Sequence, residues 1–306
     1  MAALTGPDLE AVIDAVPGWS GKTISTTPLE AGITNRNVRV DVDGESFVVR
    51  LPGRDTDLLG IDRRAEHMAA QAAADAGVGP PVLTFLEPFG ALVTRWIEGD
   101  HIPERDLRDP AVLSSAVDAV VRFHGCGVLP ITFPVFRIVE RYRDVAAERG
   151  IRIPPGFDDS HAVTSRIETA LDASPAPTRA CHNDLLNANM LRTADGVRLV
   201  DFEYAGMGDP FFDLANLAVN NALDAPAQDA LLTLYFGQVT DARRAHLGLM
   251  RIVSDVREAM WGVVQQAISE LDVDYVDYAA RHFARALASA TEAPLDEWLD
   301  AARGSS

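Results

Sequence analysis

His182-Asn-Asp-Leu-Leu-Asn-Ala-Asn189, followed by Leu199-Val-Asp-Phe-Glu203, is the stretch that decides the fold. A carboxylate (Asp184), a carboxamide five residues on (Asn189) and a second carboxylate (Asp201) across a short polar hairpin can converge on one metal-filled site, which is phosphoryl-transfer geometry. Asp184 is suited to accept the proton of an attacking hydroxyl, and Asn189 and Asp201 offer hard oxygen to Mg²⁺. His182 opens the motif and is counted with Asp184 as catalytic. The hairpin is read as Asn189 to Arg192, a turn at Ala194-Asp195-Gly196, and Arg198 to Phe202.

Upstream, strand patterns dominate. Val38, Val40 and Val42 alternate with Arg39 and Asp41, Asp43-Gly44 supplies turn chemistry, and SFVVRL runs from Ser46 to Leu51, so a hairpin is expected. Just before it, Gly32-Ile-Thr-Asn-Arg36 offers backbone amides and short polar groups to cover triphosphate oxygens, with Gly32, Thr34, Asn35 and Arg36 as its nucleotide-side residues. Arg50 ends the second strand and Glu66 lies in an Ala-rich helix, Arg63 to Ala76, that stops at Gly77. Together they form the basic-acidic pair that anchors phosphates in kinases, where the base is usually Lys. Ala91 to Ile97 returns to strand.

Beyond Glu98-Gly99-Asp100 the pattern turns to long amphipathic helices, the clearest capped by Asp109 with Pro110 in its first turn. Leu113, Ala116, Val117, Val120, Val121 and His124 share one stripe, and Asp118/Arg122 pair on the other face. The expected architecture is a bilobal α+β fold, with a small strand-rich lobe over residues 1–98 and a larger helical lobe over 99–306.

The motifs GITNRN (Gly32 to Asn37), HNDLLNAN (His182 to Asn189), DFEYAGMGDPFFDLAN (Asp201 to Asn216) and WGVVQQAISELDVDYVDYA (Trp261 to Ala279) resemble the choline/ethanolamine kinase branch of the kinase-like phosphotransferases, which also include the aminoglycoside phosphotransferases. The resemblance spans nearly the whole chain. It implies a protein-kinase-like fold, ATP and Mg²⁺ as co-substrates, and transfer of the γ-phosphoryl group to the hydroxyl of an amino alcohol. By the same resemblance Asp184 is the base, Asn189, Asp201 and Glu203 are the magnesium-side residues, and the Trp96-Ile97 backbone is the adenine hinge.

For the acceptor, the resemblance points to Trp261, Tyr275 and Tyr278 around an ammonium, with Tyr204 beside them, an arrangement that uses cation–π attraction. Glu258 stands one turn before Trp261, where the family pattern has another aromatic residue, and Asn220-Asn221 fall where an acidic residue is expected. A carboxylate in place of a ring suits an ammonium that donates hydrogen bonds better than trimethylammonium, which cannot. Choline, ethanolamine and other amino alcohols stay open. So do two alternatives, an aminoglycoside phosphotransferase and a catalytically silent nucleotide-binding regulator, although the presence of Asp184, Asn189 and Asp201 argues against the latter.

His124 is read as a hydrogen-bonded helix-end histidine, Cys181 as packing beneath the catalytic loop, and Asp213 as a brace for that loop, with Asp209 read the same way. With 27 Lys plus Arg against 45 Asp plus Glu, a formal charge of −18, the chain is expected to bind neither nucleic acid nor anionic lipid. The N-terminus lacks a signal-peptide pattern, no stretch is apolar enough to span a membrane, and Cys126 and Cys181 are too few for a disulfide framework. A cytoplasmic location is the expectation.

Overall fold

The computed structural model describes residues 7–29 and 34–304. Gly32 of the expected phosphate-covering loop lies outside the described residues.

Helix α1 (Leu9–Ala15) precedes strands β1 (Ile24–Pro28), β2 (Asn35–Val42) and β3 (Glu45–Pro52); helix α2 (Arg63–Asp75) follows, then β4 (Val82–Leu86) and β5 (Ala91–Arg95). The five strands form one antiparallel sheet in the order β1-β2-β3-β5-β4. The hairpin between β2 and β3 closes on Asp43 and Gly44 with φ of 51° and 89°, the left-handed pair that such tight turns require. Val38, Val40, Phe47, Val49 and Leu51 bury one face of the sheet against Val12, Val16 and Trp19. Because side chains alternate along a strand, Arg50 between Val49 and Leu51 must project from the opposite face. There it meets α2.

Helix α2 starts at the N-cap Asp62, whose carboxylate accepts from the amides of Arg64 and Ala65. Its Ala69, Ala70 and Ala73 belong to the large apolar cluster of the helical lobe rather than to the sheet's own cluster. Small side chains allow that close seating. The following turn is tied down as well: the Leu199 amide donates to the Val78 carbonyl at 2.8 Å.

The rest of the chain comprises β6 (Asp100–His101), α3 (Pro110–His124), α4 (Val135–Arg149), α5 (Phe157–Asp172), β7 (Arg179–Cys181), β8 (Met190–Thr193), β9 (Gly196–Leu199), β10 (Gly206–Gly208), α6 (Pro210–Asn220), α7 (Ala225–Phe236), α8 (Asp241–Ile268), α9 (Tyr275–Glu292) and α10 (Leu295–Arg303). β6 pairs with β8 of the polar hairpin, so the segment that leaves the first lobe docks directly on the catalytic region. Gly99 makes this approach possible, since a Cβ there would stand 2.7 Å from the Arg192 carbonyl oxygen.

Asp109 caps α3 as expected, and Asp118 and Arg122 form a loose pair 3.9 Å apart on its outer face. The apolar stripe differs at one position: Val121 is exposed and Phe123 is buried in its place. Residues 121 and 123 lie about 200° apart around a helix, so only one can face the core. Helix α8 is buried almost all the way round from Ala245 to Gln265, the mark of a central helix with neighbours on every side. Among the described residues no helix is long and apolar enough to cross a membrane.

Candidate active site

The loop between β7 and β8 carries Asp184, the expected base. Its geometry is set from below by Asp213 on α6, whose Oδ2 accepts from the His182 amide at 2.7 Å and whose Oδ1 accepts from the Asn183 amide at 2.6 Å. His124 adds its Nε2 to the same carboxylate at 2.9 Å and meets the Tyr235 hydroxyl through Nδ1 at 2.6 Å. Asn183 sits at φ 64°. An asparagine tolerates that left-handed backbone, and its Nδ2 donates to the carbonyls of Tyr204 and Cys181 at 2.9 and 3.2 Å. Sequence reading passed over Asn183; only its neighbours carried a motif.

Asp184 emerges from this braced turn. Its Oδ2 accepts from Asn189 Nδ2 at 3.0 Å, and the same Nδ2 reaches its backbone carbonyl at 2.9 Å. With the amide nitrogen used on Asp184, Asn189 has its carboxamide oxygen left for a ligand. Burial pushes the Asp184 carboxyl well above the usual carboxylate range; Arg257 opposes the shift, while Glu258, Asp201 and Glu203 add to it. His182, expected beside the base, is sealed beneath it: its ring packs on Phe202, Nε2 donates to the Val200 carbonyl at 3.0 Å, and burial lowers its pKa. In that position it shapes the loop and has no path to a substrate. Cys181 is also buried, and its thiol is pushed well up, first by burial. Asp209, expected to brace the loop as Asp213 does, instead caps α6 through the Phe211 amide and pairs with His246 at 2.8 Å.

Across the cleft, Arg50 joins the two lobes. It pairs with Glu66 at 3.0 Å, Asp201 at 2.8 Å and Glu203 at 3.1 Å. Arg63, which sequence reading treated only as the start of a helix, is a second hub. Nη1 reaches Glu66 at 2.7 Å and Glu203 at 3.3 Å, and Nη2 donates to Asn35 Oδ1 at 2.8 Å and Thr56 Oγ1 at 3.1 Å. Asp201 adopts φ 69°, a left-handed backbone of the sort that persists at functional sites when surrounding contacts hold it. Burial, then the charge of Asp201, push Glu203 up to about 7 against the pull of Arg50 and Arg63.

The expected phosphate-covering residues are differently placed. β2 begins at Asn35, so Asn35 and Arg36 are strand residues opposite Pro52 and Leu51, not members of a loop. Asn35 is buried and gives its Nδ2 to Glu203 Oε2 at 2.8 Å. Thr34 alone of the four lies in a described loop position, its carbonyl pressed close to Gly53. At the hinge, the Trp96 amide donates to the Ser46 carbonyl at 3.0 Å and its ring carries the Arg39 guanidinium 4.7 Å from its centre, so Trp96 is occupied on both counts. Ile97 follows, half-buried.

On the acceptor side, Tyr204 lies two residues past Phe202 and takes the Trp261 Nε1 hydrogen bond at 3.0 Å. Trp261, Tyr275 and Tyr278 meet one another edge-on or tilted, with centroids 5.9 to 6.3 Å apart. Tyr275 turns its hydroxyl to Ser269 at 2.9 Å and is buried, so it backs the other two rings. Glu258 accepts from the Tyr278 hydroxyl at 2.5 Å through Oε1 and from Arg257 Nη1 at 3.0 Å through Oε2. Asn221 is buried at the end of α6 and bonds the Leu217 carbonyl at 2.9 Å, a helix-ending role.

A family profile described as the phosphotransferase enzyme family matches residues 25–247. The crystal structure of a choline/ethanolamine kinase family protein from Mesorhizobium loti superposes with a TM-score of 0.79 at 32% identity, covering 96% of this chain and 97% of that one. The chain belongs to this kinase family. Protein LicA of Haemophilus influenzae is 28% identical over 275 residues, 86% of this chain and 79% of its own length. The choline kinase LicA from Streptococcus pneumoniae shares the fold, with a TM-score of 0.80 at 20% identity over 93% of this chain and 99% of that one. The small antiparallel sheet, the docked α2 and the helical lobe are thus the protein-kinase-like architecture of the family.

The Asp213 brace yields a prediction for this kinase. Asp213→Ala leaves two loop amides and His124 without their acceptor inside the core, and each buried donor left unsatisfied costs on the order of 1–3 kcal/mol. Asp213→Asn keeps one good acceptor and should do less harm. Urea unfolding of both variants checks the ranking; equal stability to wild type would remove Asp213 from the loop's support.

Proposed function

We propose that this chain is an ATP-dependent kinase that transfers the γ-phosphoryl group to the hydroxyl of an amino alcohol of the choline or ethanolamine type, with residues 1–98 covering the nucleotide and 99–306 carrying the base and the acceptor pocket. The observation that carries this reading is the continuity of the site. Asp184 is bonded to Asn189 on one side and lies 3.9 Å from Arg257 on the other, and Arg257 in turn joins Glu258 and the ring cluster of Tyr204, Trp261 and Tyr278. Proton acceptor, hard-oxygen donors and an acidic, aromatic pocket therefore adjoin one another.

In this reading the acceptor hydroxyl approaches Asp184, which takes its proton as the oxygen attacks the γ-phosphorus; the bond from phosphorus to the bridging oxygen breaks, and ADP departs with the electron pair. A buried carboxylate held closer to neutral pH is a better base than a solvated one. Arg50, fixed by Glu66, reaches toward the phosphates, and the Ile97 backbone serves as the hinge donor in place of the occupied Trp96 amide.

The donor set fits Mg²⁺. Asn189 has its carboxamide oxygen left, and Arg50 engages only Oδ1 of Asp201. Glu203 has Oε2 taken by Asn35, Arg50 and Arg63, so Oε1 is what it can contribute. Mg²⁺ held there would neutralise charge on the β- and γ-phosphates. We read the place of action as the cytoplasm, in keeping with free Cys126 and Cys181.

An acceptor panel of choline, ethanolamine, other amino alcohols and an aminoglycoside, read as ADP release, tests the function. Turnover of an amino alcohol with little on the aminoglycoside is expected; the reverse order would move the chain to the resistance-type activity, and no turnover at all would favour a silent regulator. Trp261→Ala should raise the acceptor KM by roughly 2–10-fold with the ATP KM nearly unchanged, because the hydrogen bond that orients Tyr204 and the packing behind Tyr278 are lost together. A folded Trp261→Ala enzyme with unaltered acceptor kinetics would make the rings mere core.

A further inference from the structure

Arg257 is 1% exposed, the largest fully buried side chain among the described residues, and nothing in its sequence context marks it for a site. Burial of α8 on all sides is what places this cation inside. Its guanidinium carbon stands 4.4 Å from the centre of the Tyr204 ring and 5.9 Å from that of Phe133. Nη1 bonds Glu258 at 3.0 Å and lies 3.9 Å from Asp184 Oδ1, while Nε and Nη2 have no hydrogen-bond partner among the described residues. Charge and the ring hold Arg257, more than any hydrogen-bond net.

A quaternary ammonium is recognised by ring faces, because its methyl groups shield the charge and it has no N–H to donate. Here the face of Tyr204 already carries a cation. Trp261 and Tyr275 are 6% and 5% exposed and turn toward each other and toward Tyr278. What the pocket keeps is hydrogen-bond acceptance: each Glu258 oxygen has one protein donor, Tyr278 or Arg257, and a further lone pair. With Asp184 ionised, as a base must be, Asp184 and Glu258 against Arg257 leave one negative charge, matched to one ammonium.

We propose that Arg257 is a specificity-determining residue: by supplying from within the protein the cation that Tyr204 would otherwise take from a substrate, it sets the acceptor site for a single ammonium that donates hydrogen bonds, as in ethanolamine, over a quaternary one. The proposal rests on the amino-alcohol reading above. Arg257→Leu uncovers the Tyr204 face and leaves Glu258 without its cation; Arg257→Leu combined with Glu258→Leu removes the whole pair, a replacement of buried ions by apolar groups that proteins often tolerate. Arg257→Lys keeps a charge but loses the flat guanidinium that stacks on the ring.

The test is kcat/KM for ethanolamine and choline, with the ATP KM as control, in wild type and these variants. Calorimetry of wild type with methylammonium and with tetramethylammonium accompanies it. Wild type should prefer ethanolamine and bind methylammonium more tightly. Arg257→Leu should shift the choline-to-ethanolamine ratio toward choline by roughly 2–30-fold, the worth of one cation–π contact, with the ATP KM unmoved, and Arg257→Lys should shift it less. If Arg257→Leu does not fold, the double variant is compared with Glu258→Leu alone and should shift the ratio further toward choline by the same ~2–30-fold; no difference between the two overturns the role of Arg257. A wild-type preference for choline and tetramethylammonium, or an unchanged ratio in a folded variant, overturns the role of Arg257. Wild type that phosphorylates neither acceptor overturns the amino-alcohol reading itself, a distinct result.

Discussion

Asp184→Asn should lower kcat by roughly 10²–10⁴-fold, the usual worth of a positioned general base, while the protein keeps its fold. The expectation follows from what the side chain touches. Asn189 donates to it, Arg257 lies 3.9 Å away, and a carboxamide of the same size fills the space with little disturbance. Only the capacity to take a proton disappears. The ATP KM should hold, because the nucleotide side proposed above is organised around the Arg50–Asp201 pair rather than Asp184. Single-turnover kinetics with saturating ATP and acceptor isolate the chemical step, and activity within a few-fold of wild type would dismiss Asp184 from that role.

Arg50→Met should cost about 3–5 kcal/mol of stability and, in what remains folded, raise the ATP KM far more than the acceptor KM. Three carboxylates depend on this guanidinium, and two of them, Glu66 and Glu203, have almost no access to water. Removing the cation from a buried network is much worse than never having built the network, because the stranded charges have neither solvent nor partner. Arg63 reaches Glu66 and Glu203 and softens the loss, so Arg50→Met with Arg63→Met should cost more than either change, with strong coupling between them. Arg50→Lys keeps the charge but not the fork that spans Glu66 with one nitrogen and Asp201 and Glu203 with the other. Chemical denaturation paired with nucleotide kinetics checks both halves; equal rises in the two KM values would mark the pair as purely structural.

Patterns that depend on neighbours in sequence were legible without any structure. The β2–β3 hairpin, the capped α2 and α3 and the order of Asp184, Asn189 and Asp201 all follow from local rules: period two, cap chemistry, turn residues and spacing. His124 and Asp213 were legible too, since a polar group closing an apolar helix face needs a partner and each found one in the other. Burial by distant elements is another matter. Asn35 reads as a loop residue until β3 pairs with it, and His182 reads as catalytic until Phe123 and Phe202 close over it.

Sequence by itself thus determined the β2–β3 hairpin, helices α2 and α3 and the residue types of the loop from His182 to Asn189, because backbone preferences and short-range hydrogen bonds act within a few residues; the second strand of the polar hairpin, read as Arg198 to Phe202, is Gly196–Leu199. Tertiary structure alone decided that Arg50 and Arg63 share Glu66 and Glu203, that Asn183 bridges to Tyr204, and that Arg257 is buried against the Tyr204 ring. Apart from Arg63 and Glu66, one helical turn from each other, those contacts join residues from 16 to 153 positions apart, and an ion's partners depend on which surfaces are removed from water when the lobes and α8 pack, a property no local pattern carries.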